Sequence, residues 1–303
     1  MVPKMPKIIY SHKYDIDIGE HVFPIDKYHL IHDRLLREGI VKESDFATPQ
    51  LPSDKDLELA HTHDYICRFK SGNLSAKEVH QLEFPYTEEL IETAVLWVGG
   101  TVMACQEAVK HGVGIHLGGG FHHAFADHAE GFCALNDIAV AIRKLLKTKK
   151  IKKALVLDCD LHQGNGTAKI FEGDDRVFTF SIHQDLNYPI PKEKSSLDIS
   201  LPDEVGDEEY LANLERAVPR ILTEFKPDLI IYVAGADTFV HDQLGGFALT
   251  IPGMKDRDEF IFEAAAKYRI PVAVVLGGGY AYNVVDTVTI HVNCVKTALK
   301  YRW

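Results

Sequence analysis

Cysteine is scarce in this chain of 303 residues: Cys67, Cys105, Cys133, Cys159 and Cys294 are scattered, odd in number and include no CxxC pair. That excludes a disulfide framework and points to a reducing compartment, the cytoplasm, or the nucleus if the source is eukaryotic. Long apolar runs are missing as well. The start, MVPKMPKIIYSHKYD, turns polar before a stretch of signal-peptide length builds up, and the longest apolar segment, AVLWVGGTVMAC, is too short and glycine-broken to span a bilayer. A soluble, unexported protein with no membrane partner is expected. Positive charge is in deficit, with 33 Lys plus Arg against 44 Asp plus Glu, a formal charge of -11. No basic field exists to hold a polyphosphate, so direct nucleic-acid binding is not expected. No repeat, low-complexity tract or Ser/Gly linker divides the chain, so residues 1–303 read as one domain. Neither glycine run has the context of GxGxxG or GxxxxGK[ST], which removes a phosphate loop.

What is present is a series of apolar, β-branched runs that end in glycine or polar residues: KIIY, GVGIHL, KALVLD, RVFTFSIH, DLIIYVAG and PVAVVLGGG. Helical periodicity predicts helices over Thr87 to Lys110, Asn136 to Leu146, Asp207 to Phe225, Lys255 to Tyr268 and Asp286 to Leu299. Thr87 suits an N-cap, and Gly112 stands where a terminating glycine belongs. Strands without alternation, separated by helices, imply an α/β fold: a mainly parallel sheet covered by helices on both faces. In such a sheet ligands gather beyond the carboxyl ends of the strands.

Four strand ends carry the chemistry. GVGIHL runs into GGGFHH, KALVLD into CDLHQGNG, IIYVAG into ADT, and PVAVVL into GGGYAY. Asp158, Asp160 and His162 are spaced by two, so an extended strand through this segment would turn all three to one face. Two carboxylates and an imidazole side by side form a metal-ligand pattern. Asp160 and His162 supply two ligands of a mononuclear site, and Asp237, after DLIIYVAG, is the best third. An Asp, Asp, His set suits Zn²⁺ without excluding Fe²⁺ or Co²⁺. Gly118, Gly119 and Gly120 permit a non-extended backbone that turns both His122 and His123 into one cavity, where an imidazole can take a proton and return it to a leaving amine. Gly164 and Gly166 are expected to let the chain turn sharply into the next helix. The Tyr280 phenol, in GGGY, can hydrogen-bond a developing oxyanion. HTHDY, residues 61 to 65, reads mainly as helix-cap and surface groups.

The set GGGFHHAFADHAEGFCALND, LDCDLHQGNG, AGADTFVHDQLGGF and LGGGYAY resembles the histone deacetylase family of the arginase/deacetylase fold, in the family's order across roughly the whole chain. In HQGNG, YSHKYDI, HTHDY and VGGTVMACQEAV it is most similar to class IV histone deacetylases and their bacterial relatives. The resemblance implies that Asp160, His162 and Asp237 bind catalytic zinc and that Tyr280 polarises the scissile carbonyl. It further implies that His123 is general base and then general acid, with His122, held by Asp158, as its electrostatic partner. A monovalent cation, K⁺ or Na⁺, is implied at the Asp158, Asp160 and His162 backbone oxygens and the Ser181 hydroxyl. Gly131, Phe132, Tyr188, Leu244 and Gly278 are implied to line an acyl-lysine tunnel. One position departs from many members: Asn165 stands where they carry an Asp that pairs with the second histidine. Asn accepts a hydrogen bond but brings no charge, so His123 should be less basic than in those relatives.

The expected activity is therefore zinc-dependent hydrolysis of an Nε-acyl-lysine amide, acetyl or longer fatty acyl, on a protein or peptide. Acetylpolyamine or another small acyl-amine is the alternative substrate. A binuclear manganese ureohydrolase on the same fold would need further acids after His162, where Gln163, Gly164 and Asn165 stand. A catalytically inactive acyl-lysine binding module would ordinarily lack a ligand or the tyrosine, and none is missing here.

Overall fold

The computed structural model describes residues 5–303. Strands β1 (Ile8–Ile9), β2 (Phe46–Ala47), β3 (Val113–His116), β4 (Ala154–Asp158), β5 (Val177–Gln184), β6 (Leu197–Leu201), β7 (Leu229–Val233) and β8 (Val272–Val275) form one sheet in the order β2-β1-β3-β8-β7-β4-β5-β6. Every pairing is parallel. The six runs expected from the sequence are all strands, and β3, β4, β7 and β8 are buried at every position, as a sheet covered on both sides requires. The two strands that composition did not reveal lie at the edges. LDISL of β6 alternates with polar residues because one side meets solvent, and β2 is two residues long.

Helices α1 (Lys27–Arg37), α2 (Asp54–Leu57), α3 (His63–Lys70), α4 (Ala76–Leu82), α5 (Glu88–His111), α6 (Asp137–Lys147), α7 (Asn165–Ile170), α8 (Asp207–Phe225), α9 (Ile251–Lys267) and α10 (Val284–Lys300) complete the fold. One layer is α5 laid across β1, β3, β8 and β7 with α6 beside it; α10 packs on β3 and against α1 and α9, with α8 against α9. α5 starts and stops where its sequence dictates. The Thr87 side chain accepts from the Leu90 amide, and Gly112 ends the helix at φ +82. α9 begins four residues before its expected start, because Thr250 caps the Gly253 amide and Pro252 suits the first turn. α1, α2 and α4 were not expected, and α3 and α7 were expected only as helix starts at HTHDY and after the HQGNG glycines, without bounds: α2, α3, α4 and α7 have eight residues or fewer, too short for periodicity to register.

The strand order sets the site. The chain leaves β3 for β4 and continues outward to β6, then returns to insert β7 beside β4 and β8 beside β3. The four central strands, β3-β8-β7-β4, are thus the four whose ends carry His, Asp and Tyr. They surround the point at which the winding reverses, the place where open α/β sheets hold their ligands. No helix among the described residues is long and apolar enough to cross a membrane.

Candidate metal centre and active site

β4 ends at Asp158, and residues 160–162 follow as a bend. The expected extended strand through His162 is therefore corrected: the three side chains are aimed by hydrogen bonds to the bend, not by strand alternation. The Asp160 amide donates to Asp158 Oδ1 at 3.1 Å and the His162 amide to Asp160 Oδ1 at 3.0 Å. Across the gap to β7 the Leu161 amide donates to Asp237 Oδ1 at 2.9 Å, and from the loop after β8 the Gly278 amide donates to Asp160 Oδ2 at 2.7 Å. Backbone amides of two loops, the bend after β4 and the loop after β8, thus orient the two carboxylates.

Asp160, His162 and Asp237 are buried, and one ligand atom from each lies within 4.8 Å of the others. His162 Nδ1 sits 3.2 Å from Asp160 Oδ1 and 3.0 Å from Asp237 Oδ2. Burial disfavours charge on all three. Asp237 is pushed up to about 8 by that burial and by the charge of Asp160. The His162 imidazole is raised to about 10 despite its burial, because both carboxylates hold a proton on it. No Lys or Arg hydrogen-bonds these carboxylates among the described residues. Two buried acids that draw a proton onto a shared imidazole form a site that calls for positive charge. Two oxygen donors and one nitrogen donor suit Zn²⁺, with Fe²⁺ or Co²⁺ compatible.

The tandem histidines lie beside this cluster. Gly119 and Gly120 have φ of +71 and +90, and a Cβ at Gly120 would meet the Gly277 backbone at 2.7 Å. The two glycine runs therefore pack directly on each other, joined by the Gly277 amide to the Gly119 carbonyl at 3.2 Å. Asp137 fixes the turn by accepting from the Gly120 and Phe121 amides at 3.0 and 2.8 Å. His122 Nδ1 donates to Asp158 Oδ2 at 2.7 Å, His123 Nδ1 lies 2.7 Å from Asn165 Oδ1, and the two Nε2 atoms are 3.1 Å apart. The partners separate two otherwise similar groups. Burial lowers both imidazoles, yet the carboxylates of Asp158 and Asp160 raise His122 to about 9. His123, with an amide for a partner and two histidines nearby, is held well below the usual range. The glycines of HQGNG act by close approach rather than by a special turn: a Cβ at Gly164 would meet Asp158 Oδ2 at 2.5 Å, and neither glycine has positive φ.

A cavity of about 210 Å³ leads to the cluster, lined by Glu83, His123, Gly131, Phe132, His162, Asn187, Tyr188, Leu244 and Tyr280. Four of the expected tunnel residues, Gly131, Phe132, Tyr188 and Leu244, are on its wall. Gly278 is not. It lies deeper, in a chamber of about 20 Å³ shared with Gly119, Gly120, Asp160 and Tyr280, where it backs the two carboxylates. Phe132 holds φ +64, a left-handed conformation unusual for an aromatic, kept by Gly131 and Phe132 amides bonded to the Gln81 and Leu82 carbonyls at 3.0 Å. The Tyr280 ring is 6.4 Å from that of His162, and its amide donates to Asp242 Oδ2 at 2.7 Å. Ser181, expected at a monovalent cation site, pairs in register with Asp158 and places its hydroxyl 2.9 Å from His183 Nδ1. In HTHDY, Thr62 caps α3, and the buried His61 accepts from the Asn136 amide at 3.0 Å.

Sequence reasoning missed several residues that hold the site. Arg257, fully buried, donates to the Gly235 carbonyl at 2.8 Å and reaches the Cys159 carbonyl at 3.5 Å, tying the loops that carry Asp237 and Asp160. Lys27, equally buried, donates to the Gly277 carbonyl at 2.8 Å and lies 5.9 Å from the Tyr280 ring centre. Glu130 accepts from both Asn165 and Tyr188. Arg257 and Lys27 lie on the buried faces of α9 and α1, beside Met254 and Ile261 and beside Ile31 and Leu35 respectively, where charged residues are rarely found.

Comparison with known proteins places these features in company. The family profile described as "Histone deacetylase domain" matches residues 21–295. An uncharacterized protein of a Picosynechococcus strain is 39% identical over 285 residues, covering 94% of this chain and 95% of the relative. Histone deacetylase 2 of Arabidopsis thaliana is 32% identical, covering 90% of this chain and 74% of the relative, and acetoin utilization protein AcuC of Bacillus subtilis is 33% identical, covering 89% and 76%. The crystal structure of a histone deacetylase homolog from Aquifex aeolicus superposes with a TM-score of 0.83 at 24% identity, covering 98% of this chain and 84% of that one. At that identity the likeness speaks to the fold.

Proposed function

Because the chain belongs to the histone deacetylase domain family, we propose that it is a zinc-dependent hydrolase that removes an acetyl group from Nε-acetyl-lysine of a protein or peptide, residues 1–303 acting as one catalytic domain. The reading is carried by one observation: the buried Asp160, His162 and Asp237 cluster stands at the base of a cavity together with the His122–His123 pair and Tyr280. Asp160, His162 and Asp237 would hold the ion, and the Asp158, Asp160 and His162 backbone oxygens with the Ser181 hydroxyl a K⁺ or Na⁺. Zinc bound there would supply Lewis acidity, making water a better nucleophile and the amide carbonyl a better electrophile.

The remaining steps belong to side chains. Phe132, Tyr188 and Leu244 enclose the aliphatic lysine stem, a neutral surface that favours the acylated over the ammonium form. His123, neutral, takes a proton from the attacking water and delivers it to the departing amine. His122, kept cationic by Asp158, stabilises negative charge at the reacting centre, and the Tyr280 hydroxyl donates to the developing oxyanion. Asn165 in place of Asp supports a class IV-like subgroup.

The chamber lined by His122, His123, Asp160 and Tyr280 bears on the acyl group. Its volume of about 20 Å³ holds one water-sized group, since a single water needs roughly 10–15 Å³ of such space. A space of that size supports acetyl over a longer fatty acyl chain. The test is a panel of one lysine peptide bearing acyl chains from acetyl to myristoyl, offered to zinc-replete protein. The expected order is acetyl first, with loss of turnover in Asp160→Ala. Failure on every chain length would sink the hydrolase reading and favour a binding module; a preference for myristoyl would sink only the acetyl assignment.

A further inference from the structure

We propose that Glu130 is a positioning residue that dictates which nitrogen of His123 carries its proton. The inference rests on the reading of His123 as proton carrier, and it begins from an ambiguity in Asn165. A side-chain amide has an acceptor at one end and a donor at the other, and rotation by half a turn exchanges them. With its oxygen toward His123, Asn165 accepts from an Nδ1–H group and leaves the Nε2 lone pair free. With its nitrogen toward His123, it donates to Nδ1 and forces the proton onto Nε2, where the ring can no longer act as a base.

Glu130 removes the ambiguity. Its Oε1 lies 2.8 Å from Asn165 Nδ2 and 2.7 Å from the Tyr188 hydroxyl. An ionised carboxylate only accepts, so the amide must present its nitrogen to Glu130 and its oxygen to His123 Nδ1, 2.7 Å away. At the other end of the chain of bonds Asp158 likewise only accepts, from His122 Nδ1 at 2.7 Å. With Glu130 behind the amide, the bond between Asn165 and His123 has one direction: His123 offers Nδ1–H toward Asn165 and keeps its lone pair on Nε2, 3.1 Å from His122 Nε2.

The carboxylate is itself held in place. Glu130 and Cys133 exchange backbone hydrogen bonds of 3.1 and 2.9 Å across the Gly131–Phe132 turn. His128 Nε2 is 3.5 Å from Glu130 Oε2. The Tyr188 ring, tethered through its hydroxyl, packs edge-on to His123 with centroids 4.9 Å apart. Glu130 thus also ties the wall of the cavity to the orientation of the His123 ring.

The test exchanges the two groups. Glu130→Gln keeps the shape but can donate as well as accept, so Asn165 is free to rotate. Glu130→Gln/Asn165→Asp moves the carboxylate next to His123 and restores a single direction. In full-length protein labelled with ¹⁵N-histidine and free of metal, the His123 nitrogens, assigned by their loss in His123→Gln, should report the Nδ1–H tautomer in wild type. They should show an admixture of Nε2–H in Glu130→Gln and return to Nδ1–H in the double variant. With zinc and an acetyl-lysine peptide, kcat should fall about tenfold in Glu130→Gln, a fraction of the 10²–10⁴ of acid–base catalysis, with KM within about twofold. The double variant should recover to within about threefold of wild type. An Nε2–H tautomer in wild type, an unchanged tautomer in Glu130→Gln, or a folded double variant as slow as the single one would overturn the proposal. If wild type hydrolyses no acyl-lysine while the tautomers behave as expected, the proposed activity fails and the positioning role stands.

Discussion

Gly235→Ala offers the sharpest test of the proposed metal centre, because Gly235 stands between two of the three residues proposed to hold the ion. A Cβ built there would lie 2.6 Å from the Asp160 Cα and 2.8 Å from both Asp160 Oδ2 and Asp237 Oδ1. Real Cβ atoms approach no closer than 3.0 Å, so the Asp160 backbone must recede by at least 3.0 − 2.6 = 0.4 Å, and by 3.4 − 2.6 = 0.8 Å to reach ordinary contact. Neither loop is free to give, since Arg257 binds both the Gly235 and Cys159 carbonyls. Ligand distances tolerate about 0.2 Å, and a misplacement near 1 Å costs about 10²-fold in rate. The expected outcome is zinc affinity and kcat/KM both about 100-fold lower, alongside an overpacking cost of about 1–3 kcal/mol. Zinc affinity would be measured by competition with a chromophoric chelator, and folding by thermal melts of the metal-free protein. Gly72→Ala is the control. Its φ is +74 with nothing within 4 Å, so it carries only the backbone strain of about 1–2 kcal/mol and should bind zinc as wild type does. Wild-type zinc affinity in Gly235→Ala would refute the assignment of Asp160 and Asp237 to one ion.

Three further outcomes are expected. Tyr280→Phe should lower kcat on an acetyl-lysine peptide about 10²–10³-fold with little change in KM, as loss of an oxyanion donor does; a purely KM effect in steady-state kinetics would mean the phenol only binds substrate. Arg257→Met should cost about 3–5 kcal/mol in urea unfolding by leaving Asp258 and the Gly235 carbonyl buried without their partner. Lys27 makes stability depend on pH. Burial lowers its ammonium from 10.5 to about 8, so between those values the unfolded chain binds more protons than the folded one, and stability rises with pH. The unfolding free energy of wild type relative to Lys27→Met should therefore increase by about 3 kcal/mol from pH 7 to pH 10.5, and parallel profiles would contradict the burial of a charged lysine.

What was legible in the sequence follows a physical division. A strand buried on both faces has to be a continuous apolar run, so β3, β4, β7 and β8 announce themselves, and the polar residues after them stand out by contrast. Edge strands and short helices obey no such constraint, which is why β2, β6, α2 and α4 were silent. The Asp160, His162 and Asp237 cluster could be read because its members follow those strands directly. Its geometry could not: alternation predicts a shared face through His162, whereas the chain leaves the sheet at Asp158, and amides of the bend itself and of Gly278 aim the carboxylates. Groups whose role depends on long-range contact, Arg257, Lys27 and Glu130, carry no local signature at all. Their partners are 22, 250 and 35 residues away.

The tandem histidines show how little covalent difference is needed to divide labour. His122 and His123 share a glycine-rich turn, are both almost fully buried and approach each other to 3.1 Å, so burial acts on them alike. What differs is the group behind each Nδ1. Asp158 brings a charge and favours a cation at His122; Asn165 brings a dipole and does not. Once His122 is charged, its neighbour is driven further toward neutrality, because two imidazolium ions at that separation repel in a site of low polarity. A single Asp-to-Asn difference is thus amplified by the contact between the rings. Under the proposed activity that asymmetry gives the reaction both things it needs: a fixed positive charge beside the developing oxyanion, and next to it an imidazole with a vacant lone pair to take the proton.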